Sequence, residues 1–260
     1  MQTVESEDGT TIAYDSQGDG SPLCCLHGGG THRFWDPLTD ALAEDHRVIR
    51  PDRRGRGDSG DGPTYSIEQE IEDCCAVLDA IDGTPVLIGH SFGGLLALET
   101  ARRRPVRSVV AYEPAYLVGE YRNEASLSET IQRHLDDGRP RAAAKAHLRE
   151  VIHGGDVPQF EAWLKEWPGW PKSVTFVENN LRMDRALESF ELDDTLEIDA
   201  PALLLSGSEG PQHLRDSIRV VDERLPDSKF VEFDGVGHLG PITAPNRFLD
   251  AVGHHLEKSR

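Results

Sequence analysis

Pro85-Val86-Leu87-Ile88-Gly89-His90-Ser91-Phe92-Gly93-Gly94-Leu95-Leu96-Ala97-Leu98 decides the fold of this chain. Val86 to Ile88 is a short apolar run rich in β-branched residues, whereas Leu95, Leu96, Leu98 and Ala101 recur at helical spacing, so the hydrophobic period changes between them. Gly89 and Gly93 bracket Ser91 in G-x-S-x-G spacing at that change. A nucleophile on so sharp a strand-to-helix turn needs neighbours without side chains where backbones pack closely. Ser91 is therefore expected to present its hydroxyl above a sheet, with the backbone N–H of Phe92 placed to receive an oxyanion.

The flanking chain alternates in the same way. Gln2 to Glu5 and Thr10 to Asp15 read as a hairpin around Glu7-Asp8-Gly9. Pro22 to Leu26 is a continuous apolar run, as in a strand covered on both faces, and enters His27-Gly28-Gly29-Gly30. Thr31 to Ala43 has helical spacing, and Val48-Ile49 forms the next strand. Ser66 followed by Gln69 fits a capping box for a helix reaching about Ile81. Val106 to Tyr112 reads as a strand closed by Glu113-Pro114. Pro201 to Leu205 and Phe230 to Phe233 are later strands, with a helix from about Gln212 to Arg224 between them. The last strand leads into Asp234-Gly235-Val236-Gly237-His238, and a histidine in such a glycine-rich loop has no core-packing duty. Between 115 and 196 strands give way to amphipathic helices, with turns at Asp136-Asp137-Gly138, Gly154-Gly155 and Pro168-Gly169-Trp170-Pro171.

Together these motifs resemble the α/β-hydrolase family over nearly the whole chain. The resemblance implies a mostly parallel, twisted sheet of about eight strands with helices on both faces, formed by residues 1–114 and 197–260, and an inserted helical cap over 115–196. It makes Ser91 the nucleophile, His238 its base, and the N–H groups of Gly29 and Phe92 the oxyanion donors, with His27 bracing the glycine loop. Asp52-Arg53-Arg54-Gly55-Arg56-Gly57-Asp58-Ser59 looks like a loop of the same family; its glycine spacing is not that of a phosphate loop, so it reads as structural. The acid is the open assignment. Its usual place, three residues after Gly207, holds Gly210, leaving Glu209 one residue short and Glu113 at the end of the strand after the elbow helix. Glu113 is favoured, Glu209 the alternative. Candidate pocket residues are Trp35, His90, Trp163 and Trp167, although the cap tryptophans, Trp170 included, equally suit a cap core. The remaining histidines, His254 and His255 among them, read as surface positions.

Composition narrows the function. Lys and Arg total 27 against 46 Asp and Glu, a formal charge of −19, which argues against nucleic acid or an anionic membrane as partner. The scarcity of Lys resembles proteins of salt-loving cytoplasms. Cys24-Cys25 and Cys74-Cys75 lack metal-site spacing and read as small buried hydrophobes. No metal or cofactor is expected. Neither a charged-then-apolar leader nor an apolar run of membrane-spanning length occurs, which leads to the expectation of a cytoplasmic enzyme. The expected reaction is hydrolysis of a small ester or lactone. Carbon–carbon bond hydrolysis, acyl transfer, perhydrolysis and a non-enzymatic small-ligand receptor are the alternatives; substrate identity and oligomeric state are left open.

Overall fold

The computed structural model describes residues 1–154 and 157–258, so Gly155, part of an expected turn, lies outside the described residues. Eight strands form one sheet in the order β1-β2-β4-β3-β5-β6-β7-β8: β1 (Gln2–Glu5), β2 (Thr11–Gln17), β3 (Ser21–Leu26), β4 (His46–Pro51), β5 (Val86–His90), β6 (Ser108–Tyr112), β7 (Ala202–Gly207) and β8 (Ser228–Phe233). β1 and β2 pair antiparallel, as does β2 with β4, and every other pairing is parallel. The fold is the expected one.

β5, β6 and β7 are buried at every position and mostly apolar because both faces of the sheet are covered. Successive residues feed opposite cores: Cys24, Leu87, Val109 and Leu204 join one cluster, while Leu23, Cys25, Val86, Ile88, Val110, Leu203 and Leu205 join the other. The first core is closed by α2 (Ile67–Asp79) and α3 (Phe92–Ala101), the second by α1 (Asp36–Ala43) and the C-terminal helix Pro245–Lys258. All four cysteines are buried free thiols, and burial pushes that of Cys24 up to about 12.

Two local expectations change. The helix expected from Thr31 begins as a 3-10 turn, His32–Trp35, and becomes α1 only at Asp36, where Pro37 sits in the first turn and loses no hydrogen bond there. Ser66 caps α2 by accepting from the Gln69 N–H at 3.2 Å, but the Gln69 side chain reaches Asp8 and Thr64 instead of closing the box.

Between β6 and β7 the described residues are helical: α4 (Gly119–Asn123), α5 (Leu127–Asp136), α6 (Pro140–Leu148), a π-helical turn (Arg149–His153), α7 (Val157–Glu166), α8 (Trp170–Ser173) and α9 (Val177–Ser189). These helices have two small cores of their own, one around Ile131, Ala143 and Leu181, the other around Leu148, Phe160 and Leu164. After β7 come α10 (Gln212–Arg224), α11 (Gly240–Thr243) and α12 (Pro245–Lys258).

Candidate active site

Ser91 and Glu113 are, among the described residues, the two non-glycine residues with left-handed φ, 57° and 43°. They follow the adjacent strands β5 and β6, and each such backbone costs of order 1–3 kcal/mol. At Ser91 the reason is packing: a Cβ on Gly89 would lie 2.2 Å from the Gly93 carbonyl oxygen, and one on Gly93 would lie 2.1 Å from that of Leu26. Only two glycines let β5, α3 and the end of β3 meet this closely. Phe92 is the first residue of α3, where an N–H has no acceptor within the helix.

Across the sheet edge, Glu113 Oε2 lies 2.6 Å from His238 Nδ1. Its other oxygen, Oε1, accepts from the Ser206 hydroxyl and the Gly207 N–H, both at 2.9 Å. Both residues are buried. Three contacts therefore hold the histidine loop: Glu113 on the ring, the Tyr112 hydroxyl donating to the Gly237 carbonyl at 2.7 Å, and His90 Nε2 donating to the His238 carbonyl at 2.8 Å. Since Nε2 carries the proton, His90 Nδ1 is bare, and burial holds this ring well below the usual histidine pKa. Its ring stacks on Phe34, centroids 4.4 Å apart. Glu209 is exposed and, among the described residues, its N–H bonds the Val236 carbonyl while its side chain has no partner.

The glycine loop is braced from below. His27 accepts the Arg53 N–H at Nε2 (3.2 Å), so its Nδ1 donates to the Gly28 carbonyl (3.0 Å), and burial keeps the ring neutral by driving its pKa down. Arg53 donates to the same carbonyl at 2.7 Å, is held by both oxygens of Glu70, and lies over the Phe92 ring at 4.0 Å. One guanidinium thus ties the Gly28-Gly29 loop to the elbow. Arg54 is paired with Asp73 and Asp8, which accounts for the basic loop as structure. Arg56 alone among these arginines has no carboxylate within ion-pair distance among the described residues. The Gly29 N–H has no protein acceptor among the described residues.

A cavity of about 980 Å³ joins these parts, lined by Gly28 to Phe34, His90, Ser91, Phe92 and His238 below and by α6, α8, α9 and the chain around them above. Of the four pocket candidates, His90 and Trp167 line it. Trp35 does not: it is wholly buried in the second core against Phe248, since its helical spacing points it at the sheet. Trp163 stacks on Trp167 at 5.0 Å in the cluster around Leu148, Phe160 and Leu164, and Trp170 packs there too, so the tryptophan cluster contributes one ring to the cavity.

The surface reading of the other histidines is corrected. His255 is buried and hydrogen-bonds Ser108; only its neighbour His254 is exposed. His213 and His147 both line the cavity, and His147 pairs with Asp184. Nothing in one sequence marks a histidine in an amphipathic helix as cavity-facing, because its partner lies 37 residues away.

Residues 25–251 match the Alpha/beta hydrolase family, and the chain belongs to it. An α/β hydrolase from Sphaerobacter thermophilus is 32% identical, with a TM-score of 0.77 covering 89% of this chain and 91% of that one. A pimeloyl-[acyl-carrier protein] methyl ester esterase from Aeromonas hydrophila is 27% identical over 95% of this chain and 99% of its own length. An esterase from Exiguobacterium antarcticum, 20% identical, shares the fold with a TM-score of 0.82 over 98% of this chain and 99% of that one. The protein is an α/β-hydrolase enzyme of esterase-like kind. No helix among the described residues is long and apolar enough to cross a membrane.

Proposed function

We propose that the protein is a serine hydrolase that cleaves a small carboxylic ester or lactone through an acyl-enzyme. The observation that carries this reading is the 2.6 Å contact between Glu113 and His238, buried at the edge of the cavity that Ser91 lines. A carboxylate on Nδ1 fixes the tautomer that leaves Nε2 free as a base and stabilises the imidazolium once formed.

Ser91 attacks the ester carbonyl while His238 takes the hydroxyl proton. The Phe92 and Gly29 N–H groups receive the negative oxygen, a contribution of about 3 kcal/mol per donor at such sites. His238 returns the proton to the departing alcohol, then takes one from water, which attacks the acyl-enzyme; His238 gives that proton to Ser91 Oγ as the acyl–Oγ bond breaks and the acid leaves. Serine at the elbow, in place of aspartate, excludes an ester intermediate on an aspartate there. Residues 115–196 serve as the cap that closes the cavity, and the esterase names of relatives support an ester as substrate.

The test is covalent. The native protein should react with a fluorophosphonate probe and turn over a short-chain nitrophenyl ester, and Ser91→Ala should lose both while melting at nearly the same temperature. Retained turnover in purified Ser91→Ala overturns the assignment.

A further inference from the structure

Two hydrogen-bond acceptors from the cap border one gap beside the glycine loop. His147 on α6 and Asp184 on α9 are 3% and 4% exposed, with Nδ1 2.8 Å from Oδ2. An ionised carboxylate only accepts, so the proton of the neutral ring sits on Nδ1 and Nε2 is left as an acceptor. No donor reaches that nitrogen among the described residues. Asn180, one turn before Asp184, is 5% exposed, and both it and His147 line the cavity. Its Oδ1 is fixed as an acceptor by Arg56, whose Nη2 donates to it at 2.9 Å from behind the wall, and a carbonyl oxygen keeps a second lone pair. The point where a Cβ at Gly29 would stand lies 3.9 Å from His147 Nε2 and 3.8 Å from Asn180 Oδ1. Those are ordinary contact distances, so the side chain that Gly29 lacks leaves the gap open between the loop and both atoms.

Two acceptors on one gap call for a donor. A carboxylate would bring them only lone pairs, and an ammonium would bring its charge up to the guanidinium that already donates to Asn180. A hydroxyl is neutral and carries the proton they lack. A tie between α6 and α9 accounts for the bond at Nδ1 but not for an unpartnered Nε2 on the cavity that Ser91 lines; a buried acceptor left without a donor is costly.

We propose that His147 Nε2, with Asn180 Oδ1 beside it, receives a hydroxyl on carbon 2 or 3 of the acyl chain of the substrate, so that the enzyme prefers esters of hydroxy acids to plain alkyl esters. This rests on the acyl-transfer reading above. The departing alcohol faces His238, which protonates it, and the carbonyl oxygen faces the Gly29 N–H, which leaves the acyl chain to run past Gly29 under the cap. Backbone geometry keeps Nε2 within about 7 Å of the Gly29 nitrogen, so a hydroxyl close to the carbonyl is the one in reach.

The experiment compares kcat/KM at pH 8 for the separate enantiomers of methyl 2-hydroxypentanoate and methyl 3-hydroxypentanoate with that for methyl pentanoate and for the corresponding methoxy esters, which keep the oxygen without its proton. A site that hydrogen-bonds a substrate hydroxyl rejects analogues lacking it, so the best hydroxy ester should exceed both by at least about tenfold. That preference should fall about tenfold in His147→Leu, a comparison in which the intrinsic reactivity of each ester cancels. If His147→Leu does not fold, the double variant with Asp184→Leu, which removes both members of the buried pair, takes its place. A native preference near one, a methoxy ester as good as the hydroxy ester, or a preference unchanged in the folded variant overturns the proposal. If no ester is turned over, the hydrolase reading fails, and calorimetry of the native protein with the uncleaved esters decides the gap by itself. A hydroxy ester bound at least about tenfold tighter than methyl pentanoate supports it, and any other result refutes it.

Discussion

The carboxylate of Glu113 fills the space that a side chain at Gly210 would need: a Cβ there would stand 2.6 Å from Oε1 and 2.9 Å from Oε2. The glycine at position 210, after β7, and the buried carboxylate of Glu113, after β6, are therefore one structural fact. The two positions share a single volume beside His238, and one of them must be small for the other to use it. Glu113, with one more methylene than Asp, reaches Nδ1 from the neighbouring strand while keeping Oε1 on Ser206 and Gly207.

The shared volume predicts an exchange. Gly210→Ala should displace the carboxylate and lower kcat by about 10- to 100-fold with little effect on KM, as a group acting only in the transition state would. In Glu113→Gly, which suits the left-handed backbone, adding Gly210→Asp should restore at least about tenfold of the lost kcat, part of what a triad carboxylate contributes. Steady-state kinetics of the three variants settle it; a double variant no faster than Glu113→Gly shows that the two positions do not substitute for each other.

The charge of the proposed acid is separable from its shape. Glu113→Gln keeps the size but not the stabilisation of the imidazolium, so kcat should fall by about 10²- to 10⁴-fold. Glu209→Gln, at an exposed position turned to solvent, should stay within about twofold. The reverse pattern in parallel assays would move the acid to Glu209.

Acid should destabilise the fold before its carboxylates titrate. Burial lowers the pKa of His27, His90 and His255, and that of His213 to about 4, so each takes up its proton at lower pH in the native state than in the unfolded chain, which protonates near 6.5. The unfolded state then binds more protons, and stability falls as pH drops through 6.5 towards 4, by up to about 1.4 kcal/mol per pH unit for each histidine. Asp8, held by Arg54 well below the usual carboxylate range, loses its contribution only at lower pH. Urea melts at pH 7.5, 6 and 5 should show a falling midpoint, and a midpoint constant over that span counts against neutral burial of these rings.

Salt should act oppositely. A formal charge of −19 repels itself at low ionic strength, and screening shortens from about 10 Å at 0.1 M to about 3 Å at 1 M. The melting temperature is expected to rise from dilute buffer to molar KCl or NaCl. A thermal series that is flat or falling across that range would make the acidic excess incidental.

The sequence by itself determined the elbow, because the constraint there is local: Gly89, Ser91 and Gly93 lie within one turn and the hydrophobic period changes around them. It likewise determined the alternation of elements, since a strand buried on both faces reads as a nearly continuous apolar run, and the glycines around His238 marked it as a candidate. It favoured Glu113 over Glu209 without fixing the choice, because that choice depends on the volume shared by two strands that are adjacent only after folding. Nor could it tell Trp35, in the turn before α1, from Trp167, just past α7, because the burial of each is set by what it packs against after folding. The pairing of His147 with Asp184, and that of Arg56 with Asn180, belong to tertiary structure for the same reason. Hydrogen bonds of this kind exist only between segments far apart in the chain, and no local pattern records them.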